Sequence, residues 1–354
     1  MQKEKRGIVY VATRREHYLA EAFLSAHSVK DFAPDLSITL FTDLPESPFA
    51  TAPCFDRVEA IKTSRIFSSL WAEGQLDRIT SLARSPYECT LHLDVDTRIM
   101  SDEFLGLFDK LEKIDVGMVI CQPDVSKCAR WTGFPMFNVG LILFRRNDKT
   151  GQLLEAWREL TTEHFHMANQ ENLPRVEYLT HIDDVERRRE LLFMDQTSFV
   201  RLLSPTTNKF DVELEILEEY WNYRGTGKGL ERRFDSPVRI SHHPSLRNRL
   251  GGDIFERCQQ YLQAGDIDRA IAILQCLHDE LIPEENTDGK RQVAEMVQQL
   301  RSPSVRLLVS GRAALAGGML DEAEQAANSI LAAESANPDA LALLDEVRKQ
   351  REKI

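Results

Sequence analysis

Thr90-Leu91-His92-Leu93-Asp94-Val95-Asp96-Thr97 is the stretch that decides how this chain is read. A short apolar run suited to a buried strand ends in two carboxylates at i and i+2. At a strand end both side chains reach toward one cation, one directly and one directly or through water. Hard divalent cations take carboxylate oxygens, and Mg²⁺ or Mn²⁺ usually completes its shell with substrate phosphates. A solvated acidic turn would carry the same letters, so the surroundings of the motif decide its meaning.

Outward from that stretch, strand-like and helix-like segments alternate over the first 250 residues. Apolar, β-branched runs at 7–13, 37–42, 57–61, 88–93, 116–121 and 139–144 read as strands. Residues 16–32 carry helical periodicity through Leu19, Phe23, Ala26 and Val29, and 66–82 and 151–164 are also helical. This order predicts an α/β layered fold with a mostly parallel sheet. In such sheets ligands lie beyond the carboxyl ends of the strands, where Thr13, Asp43 and Asp94 fall.

After about Gly251 every segment is helical. The expected division is an α/β domain over 1–250 and an all-α domain over 251–354. Two stretches of the tail are related. Tyr261-Leu262-Gln263-Ala264-Gly265-Asp266 and Ala314-Leu315-Ala316-Gly317-Gly318-Met319 each place a glycine turn five residues before an alanine, Ala270 or Ala323. This resembles the tetratricopeptide helix–turn–helix unit, and the resemblance implies a protein partner or self-association.

The 354 residues carry 44 Lys and Arg against 56 Asp and Glu, net −12. That balance argues against nucleic acid and against anionic lipid as partners. From Asp253 onward 18 acidic residues face 11 basic ones, so the tail is the more acidic part. No apolar run approaches the length of a membrane span, and the start of the chain lacks a signal-peptide core. The six cysteines form no CxxC pair and are expected to be reduced thiols. Together these features predict a cytoplasmic protein.

Two enzyme classes place Asp-x-Asp after a strand. Asp94-Val95-Asp96-Thr97 fits the DxDxT pattern of haloacid-dehalogenase-type phosphatases, but that motif normally closes the first strand of its domain. The order of the other pieces instead resembles a GT-A-type, family 8-like nucleotide-diphospho-sugar transferase across about residues 7–247. Val11-Ala12-Thr13 with His17-Tyr18-Leu19 is similar to the first strand and base-binding turn of that family. Lys62-Thr63-Ser64-Arg65 resembles its basic segment, and Ser85 to Thr97 its metal-site signature. Phe137-Asn138-Val139-Gly140-Leu141 resembles the next strand, and Met194-Asp195-Gln196 the segment beside the donor sugar. Tyr220-Trp221-Asn222-Tyr223-Arg224 and Ile240-Ser241-His242-His243-Pro244 resemble the last two pieces. Two departures stand out. Val139 replaces a glycine, and the lysine-containing stretch that often follows the late histidine is replaced by Pro244-Ser245-Leu246-Arg247.

The resemblance implies a metal-dependent enzyme that moves a sugar from a nucleotide-diphosphate donor, UDP-sugar as first guess, to a glycan, lipid-linked or protein hydroxyl, retaining the anomeric configuration. Asp94, Asp96 and His242 would hold Mn²⁺ or Mg²⁺. Strand alternation allows only one of His242 and His243 to serve, and His242 is preferred. Ala12, Thr13, Tyr18, Lys62, Arg65, Asp94, Val95, Asn138 and Gly140 would bind the donor. Asp195 and Gln196 would act at the sugar, with Asp195 the first base to test if the enzyme inverts. Trp131, Trp157 and Trp221 could form an acceptor platform, Trp157 being the most core-like. Arg247 or Arg249 could take the place of the missing lysine. A phosphatase and a scaffold working through its helical tail remain the alternatives.

Overall fold

The structure is a computed structural model of the chain; it describes residues 5–63, 67, 70–121, 136–203, 209–224, 237–242 and 250–353. The chain divides into two compact units, Met1–Asn248 and Arg249–Ile354.

The first unit opens with β1 (Arg6–Val11), α1 (Glu16–Phe32), β2 (Ser37–Thr42), β3 (Arg57–Ala60), α2 (Leu70–Leu82) and β4 (Cys89–Leu93). Next come β5 (Thr97–Ile99), α3 (Gly106–Lys110), β6 (Val116–Ile120), β7 (Phe137–Arg145) and α4 (Asp148–Ala168). Then follow α5 (Val185–Leu192), α6 (Asp195–Leu203), β8 (Leu214–Leu217) and β9 (Ile240–His242). Seven strands form one sheet in the order β3-β2-β1-β4-β7-β6-β8, and β5 pairs with β9 in a second, two-stranded sheet. In the large sheet β7 alone runs against its neighbours β4 and β6; the other pairings are parallel. The mixed, mostly parallel α/β fold expected from the alternation is what the chain forms.

Consecutive residues Ile8, Val9 and Tyr10 of β1 are all fully buried. That is the mark of a central strand covered on both faces, and it explains the unbroken apolar run there. The adjoining core is filled by Leu153, Leu154 and Trp157 of α4 with Phe199 and Val200 of α6. Asn147 starts α4 with a capping box, its side chain accepting from Thr150 N while Thr150 Oγ1 accepts from Asn147 N.

Two irregularities shape the edge where β4 ends. Because β7 is antiparallel to β4, the first residues of β7 lie at that same edge. The β6–β7 register also jumps, Met118 facing Ile142 while Val119 faces Asn138. Such bulges re-aim backbone beside functional sites, and here the jump spans Val139, Gly140 and Leu141.

The second unit is wholly helical among the described residues: α7 (Leu250–Gln263), α8 (Ile267–Cys276), α9 (Thr287–Arg301), α10 (Pro303–Ala316), α11 (Leu320–Ala333) and α12 (Pro338–Arg351). A π-helical turn, Leu277–Leu281, extends α8. The two glycine turns noted in the sequence are built alike. Gly265 and Gly318 have φ of +83° and +77°, a conformation open to glycine without steric cost. Each glycine N–H is donated to the carbonyl three residues back, Leu262 or Leu315. The next N–H is donated five back, to Tyr261 or Ala314. The alanines that follow, Ala270 and Ala323, are fully buried.

No helix among the described residues is long and apolar enough to cross a membrane. Among the same residues the cysteines are free thiols, and burial pushes that of Cys258 up to about 12.

Candidate active site

β4 delivers Asp94 to the sheet edge, where its N–H is donated to Gly140 O of β7 at 2.8 Å. Thr97 closes the turn after it, its hydroxyl donating to Asp94 O at 2.8 Å. The chain then enters β5, and Thr97 sits directly opposite His242 of β9. This two-stranded sheet is the device that brings a histidine from the far end of the unit to the two carboxylates. His242 Nε2 lies 3.1 Å from Asp96 Oδ1 and 3.8 Å from Asp94 Oδ2.

The residues fit a divalent cation on three observations. One ligand atom from each of Asp94, Asp96 and His242 falls within 4.8 Å of the others. His242 Nδ1 donates to Asn222 Oδ1 at 2.9 Å, which turns the Nε2 lone pair toward the carboxylates, as an outer-shell partner does for a metal-bound imidazole. Finally, the space beside the three is kept clear by Gly140. A Cβ there would lie 2.4 Å from His242 Cε1 and 2.7 Å from Asp94 Oδ2.

A second centre of charge adjoins the first. Arg78 of α2 donates through Nη1 to Asp94 Oδ1 at 2.9 Å and through Nη2 to Asp195 Oδ2 at 2.5 Å. One guanidinium thus bridges a partly exposed carboxylate and a buried one, and they respond oppositely. Burial opposes ionisation of Asp94, yet Arg78 and the imidazoles of His92 and His242 outweigh it and hold that carboxyl well below the usual range. Burial raises Asp195 above it, with Arg78 only partly offsetting the effect. The backbone of Asp195 is pinned as well. Its N–H is donated to Gln75 Oε1 at 2.8 Å, and its carbonyl accepts from Trp157 Nε1 at 2.8 Å.

α2 also anchors the end of β1. Arg14 sits in the left-handed region at φ +75°. Its N–H is donated to Asp43 Oδ1 at 2.8 Å, and its guanidinium is buried against Glu73 and Asp77. Thr13 Oγ1 also donates to Asp77, at 3.1 Å.

These segments enclose a cavity of about 450 Å³, well within the range of small-ligand sites. Thr13, Tyr18, Asp94, Val95, Asp96 and Asn138 line it, as do Asp195, Gln196 and His242. Gly140 underlies the metal-type triad. Asn138 Oδ1 accepts from Gly140 N at 3.0 Å and so fixes that glycine. Ala12 is buried beneath the site, its N–H donated to Phe41 O. Lys62 is exposed and is not part of the cavity wall. Arg65, Trp131, His243, Arg247 and Arg249 lie outside the described residues.

The tryptophan expectation needs correcting. Trp157 is fully buried against Phe199, and Trp221 is 7% exposed with its N–H donated to Glu218. Neither presents a face to a ligand. Among the described residues the tryptophan that lines the cavity is Trp71, which sequence reasoning passed over.

Also missed were Arg14, in the turn between β1 and α1, and the polar Gln75 and Arg78 of α2. Asn222 and Arg224 fell inside a recognised segment without being singled out. Arg15 and Arg224 bring two further guanidinium groups to the cavity.

No family model and no curated protein matches this chain. Among solved structures it is similar to the galactosyltransferase LgtC, captured with donor and acceptor sugar analogues. The TM-score is 0.40 at 16% identity, covering 67% of this chain and 87% of that one. It is also similar to the glycosyltransferase GlyE of Streptococcus pneumoniae TIGR4, with TM-score 0.41 and 17% identity over 67% of this chain, spanning 55% of GlyE. At this degree of likeness the chemistry has to come from the side chains themselves.

Proposed function

We propose that the protein is a metal-dependent glycosyltransferase of the GT-A type, transferring a sugar from a nucleotide-diphosphate donor to a hydroxyl acceptor. The observation that carries this reading is the convergence of Asp94, Asp96 and His242 beside Gly140, at the edge of a cavity whose wall also includes Asp195 and Gln196. A mixed oxygen and imidazole set favours Mn²⁺ over Mg²⁺. A cation held there supplies Lewis-acid neutralisation of a diphosphate leaving group.

The remaining roles belong to the protein. Arg15 and Arg224 add positive charge toward a dianionic donor. Thr13 and Tyr18 stand at the carboxyl end of β1, the place for the base, with UDP as the first nucleotide to try. Asn138 and Asp195 offer hydrogen bonds to sugar hydroxyls, and Gln196 stands at the cavity wall beside them. Asp195 is committed to Arg78 through Oδ2, and a general base would have to give up that ion pair. This supports retention of the anomeric configuration. The same engagement of Asp94 with Arg78 makes it a poor nucleophile, which disfavours the phosphatase reading.

A thermal-shift panel of nucleotide-sugars with and without Mn²⁺ tests the proposal, because a ligand that binds the native state raises its apparent stability. The expected result is a shift that requires both metal and one donor, accompanied by slow donor hydrolysis that a chelator abolishes. Asp94→Asn and Asp96→Asn should each lower that hydrolysis by at least about 10²-fold, the scale of removing a preorganised charge-stabilising group. Metal-independent turnover in either variant sinks the assignment.

A further inference from the structure

We infer that Trp71 is the platform for the acceptor and that the acceptor is a saccharide; this rests on the glycosyltransferase reading above. Trp71 is 57% exposed, the most exposed large hydrophobic side chain among the described residues. An indole left in water on a helix gains nothing from the fold. Other exposed apolar side chains of the same unit, such as Phe32, Met100 and Ile216, are not part of the cavity wall; Trp71 is.

Its place on α2 gives the exposure a direction. Trp71, Gly74, Gln75 and Arg78 follow the i, i+3, i+4, i+7 spacing of one helix face, and all four line the cavity. Along that face burial deepens. Trp71 stands open at the mouth, Gln75 is 6% exposed and donates to Phe193 O, and Arg78 reaches Asp94 and Asp195 at the floor. Seven residues of helix rise about 10 Å, enough to set two adjacent sugar rings along the stripe. The ring being transferred belongs beside Arg78 and Asp195. The ring that receives it then lies over Gly74 and Trp71.

Both residues suit that occupant. A pyranose has a face of C–H groups and a rim of hydroxyls, and tryptophan offers a broad rigid apolar face with one polar N–H. Gly74 leaves the helix surface beside the indole bare, and a Cβ built there meets nothing within 4 Å. The glycine is not required by packing, nor has it a positive φ; its effect is to keep the strip next to Trp71 flat.

The test compares wild type, Trp71→Ala, Trp71→Phe and Gly74→Leu. Each is assayed for donor hydrolysis alone and for donor turnover stimulated by an array of mono- to tetrasaccharides or by Ser- and Thr-containing peptides. Trp71 is mostly exposed and a Cβ at Gly74 meets nothing within 4 Å, so the variants should fold, and leucine has the better helix propensity at position 74.

The inference expects saccharides to stimulate the wild type. It also expects Trp71→Ala to lower kcat/KM for the saccharide about tenfold, the scale of one lost aromatic stacking contact. Trp71→Phe should recover most of the loss, and Gly74→Leu should raise the saccharide KM. The change in donor KM and in unstimulated hydrolysis should be much smaller than the change in saccharide kcat/KM. Unchanged saccharide kinetics in Trp71→Ala, a raised donor KM instead, or stimulation by peptides and by none of the saccharides each overturns the inference while leaving the transferase reading intact. Absence of metal-dependent donor hydrolysis in the wild type would remove the reading itself.

Discussion

The two units differ most in what they bury. In the first, polar and charged groups go deep: Glu73, Asp77, Asp96, Asp195 and His242 are each under 9% exposed. In the second, every buried side chain among the described residues is apolar, from Ile254 and Cys258 to Leu343 and Val347. Burying charge is costly unless it is paired and hydrogen-bonded, so a protein that does it in one place needs a reason local to that place. Here Asp96, Asp195 and His242 line the cavity, and Glu73 and Asp77 hold its Arg14, while the helical unit follows the plain rule of apolar stripes against one another.

The sharpest way to break that contrast is Arg78→Met. It removes the one guanidinium that serves both Asp94 and Asp195. Asp195, whose side chain is 2% exposed, would be left without its cation, and an unmatched buried charge costs about 3–5 kcal/mol. We expect urea denaturation to show a loss of that size in the first unit, and donor hydrolysis to fall by at least about 10³-fold, beyond the loss from one missing charge-stabilising group. A stable, active Arg78→Met protein would mean that the buried charge is incidental.

Gly140→Ala asks for less. The added Cβ would meet His242 and Asp94, and overpacking of this kind costs about 1–3 kcal/mol. The expected signature is loss of the Mn²⁺-dependent thermal shift with modest loss of stability. Retention of that shift would show that the ligands can move aside and that Gly140 does not define the site.

How much of this was legible in the sequence follows the same division. Asp94, Asp96 and His242 could be named because a strand ending in Asp-x-Asp, with further segments in the right order, leaves a trace in single letters. Their convergence could not be derived locally. It depends on β5 pairing with β9, two three-residue strands far apart in the chain, too short to carry a periodic signal. Arg78, Gln75 and Glu73 were illegible for another reason. Charged and polar side chains on a helix usually face water, and only the tertiary fold turns this face inward. Trp157 was read as core-like and is buried, but the burial of Trp221 was not legible, because a lone Trp says nothing about whether a core will form over it. Trp157 was covered and Trp71 was not. In the helical unit the glycine turns were readable because a left-handed backbone demands a specific residue.

Acid sharpens the comparison next. His164 is buried in α4, its Nε2 accepting from Tyr178 Oη at 2.5 Å. Burial pushes its pKa down from 6.5 to about 4. The unfolded chain takes up a proton at this site as pH falls through about 6.5, whereas the native protein resists until about 4. The stability tied to neutral His164 is therefore complete above that window and lost as pH drops through it, by about 2 kcal/mol at pH 5. The difference in urea stability of the first unit between pH 7 and pH 5 should shrink by about that amount in His164→Gln. An unchanged difference would assign the acid sensitivity to other groups.

The smallest effect belongs to the helical unit, and it isolates backbone from chemistry. At Gly318 a Cβ would meet nothing within 4 Å, yet φ is +77°. Gly318→Ala should therefore cost only the left-handed conformation, about 1 kcal/mol. Gly265 shares the conformation at φ +83° but has Ala313 Cβ 3.1 Å from the added methyl, so Gly265→Ala should cost somewhat more. Hydrogen exchange of the amides of α11 should quicken in Gly318→Ala, and that of α8 in Gly265→Ala, while donor hydrolysis stays at the wild-type rate in both. If either alanine lowered hydrolysis, the buried charge of the first unit and the apolar packing of the second would be energetically coupled, and the contrast between them would no longer separate chemistry from architecture.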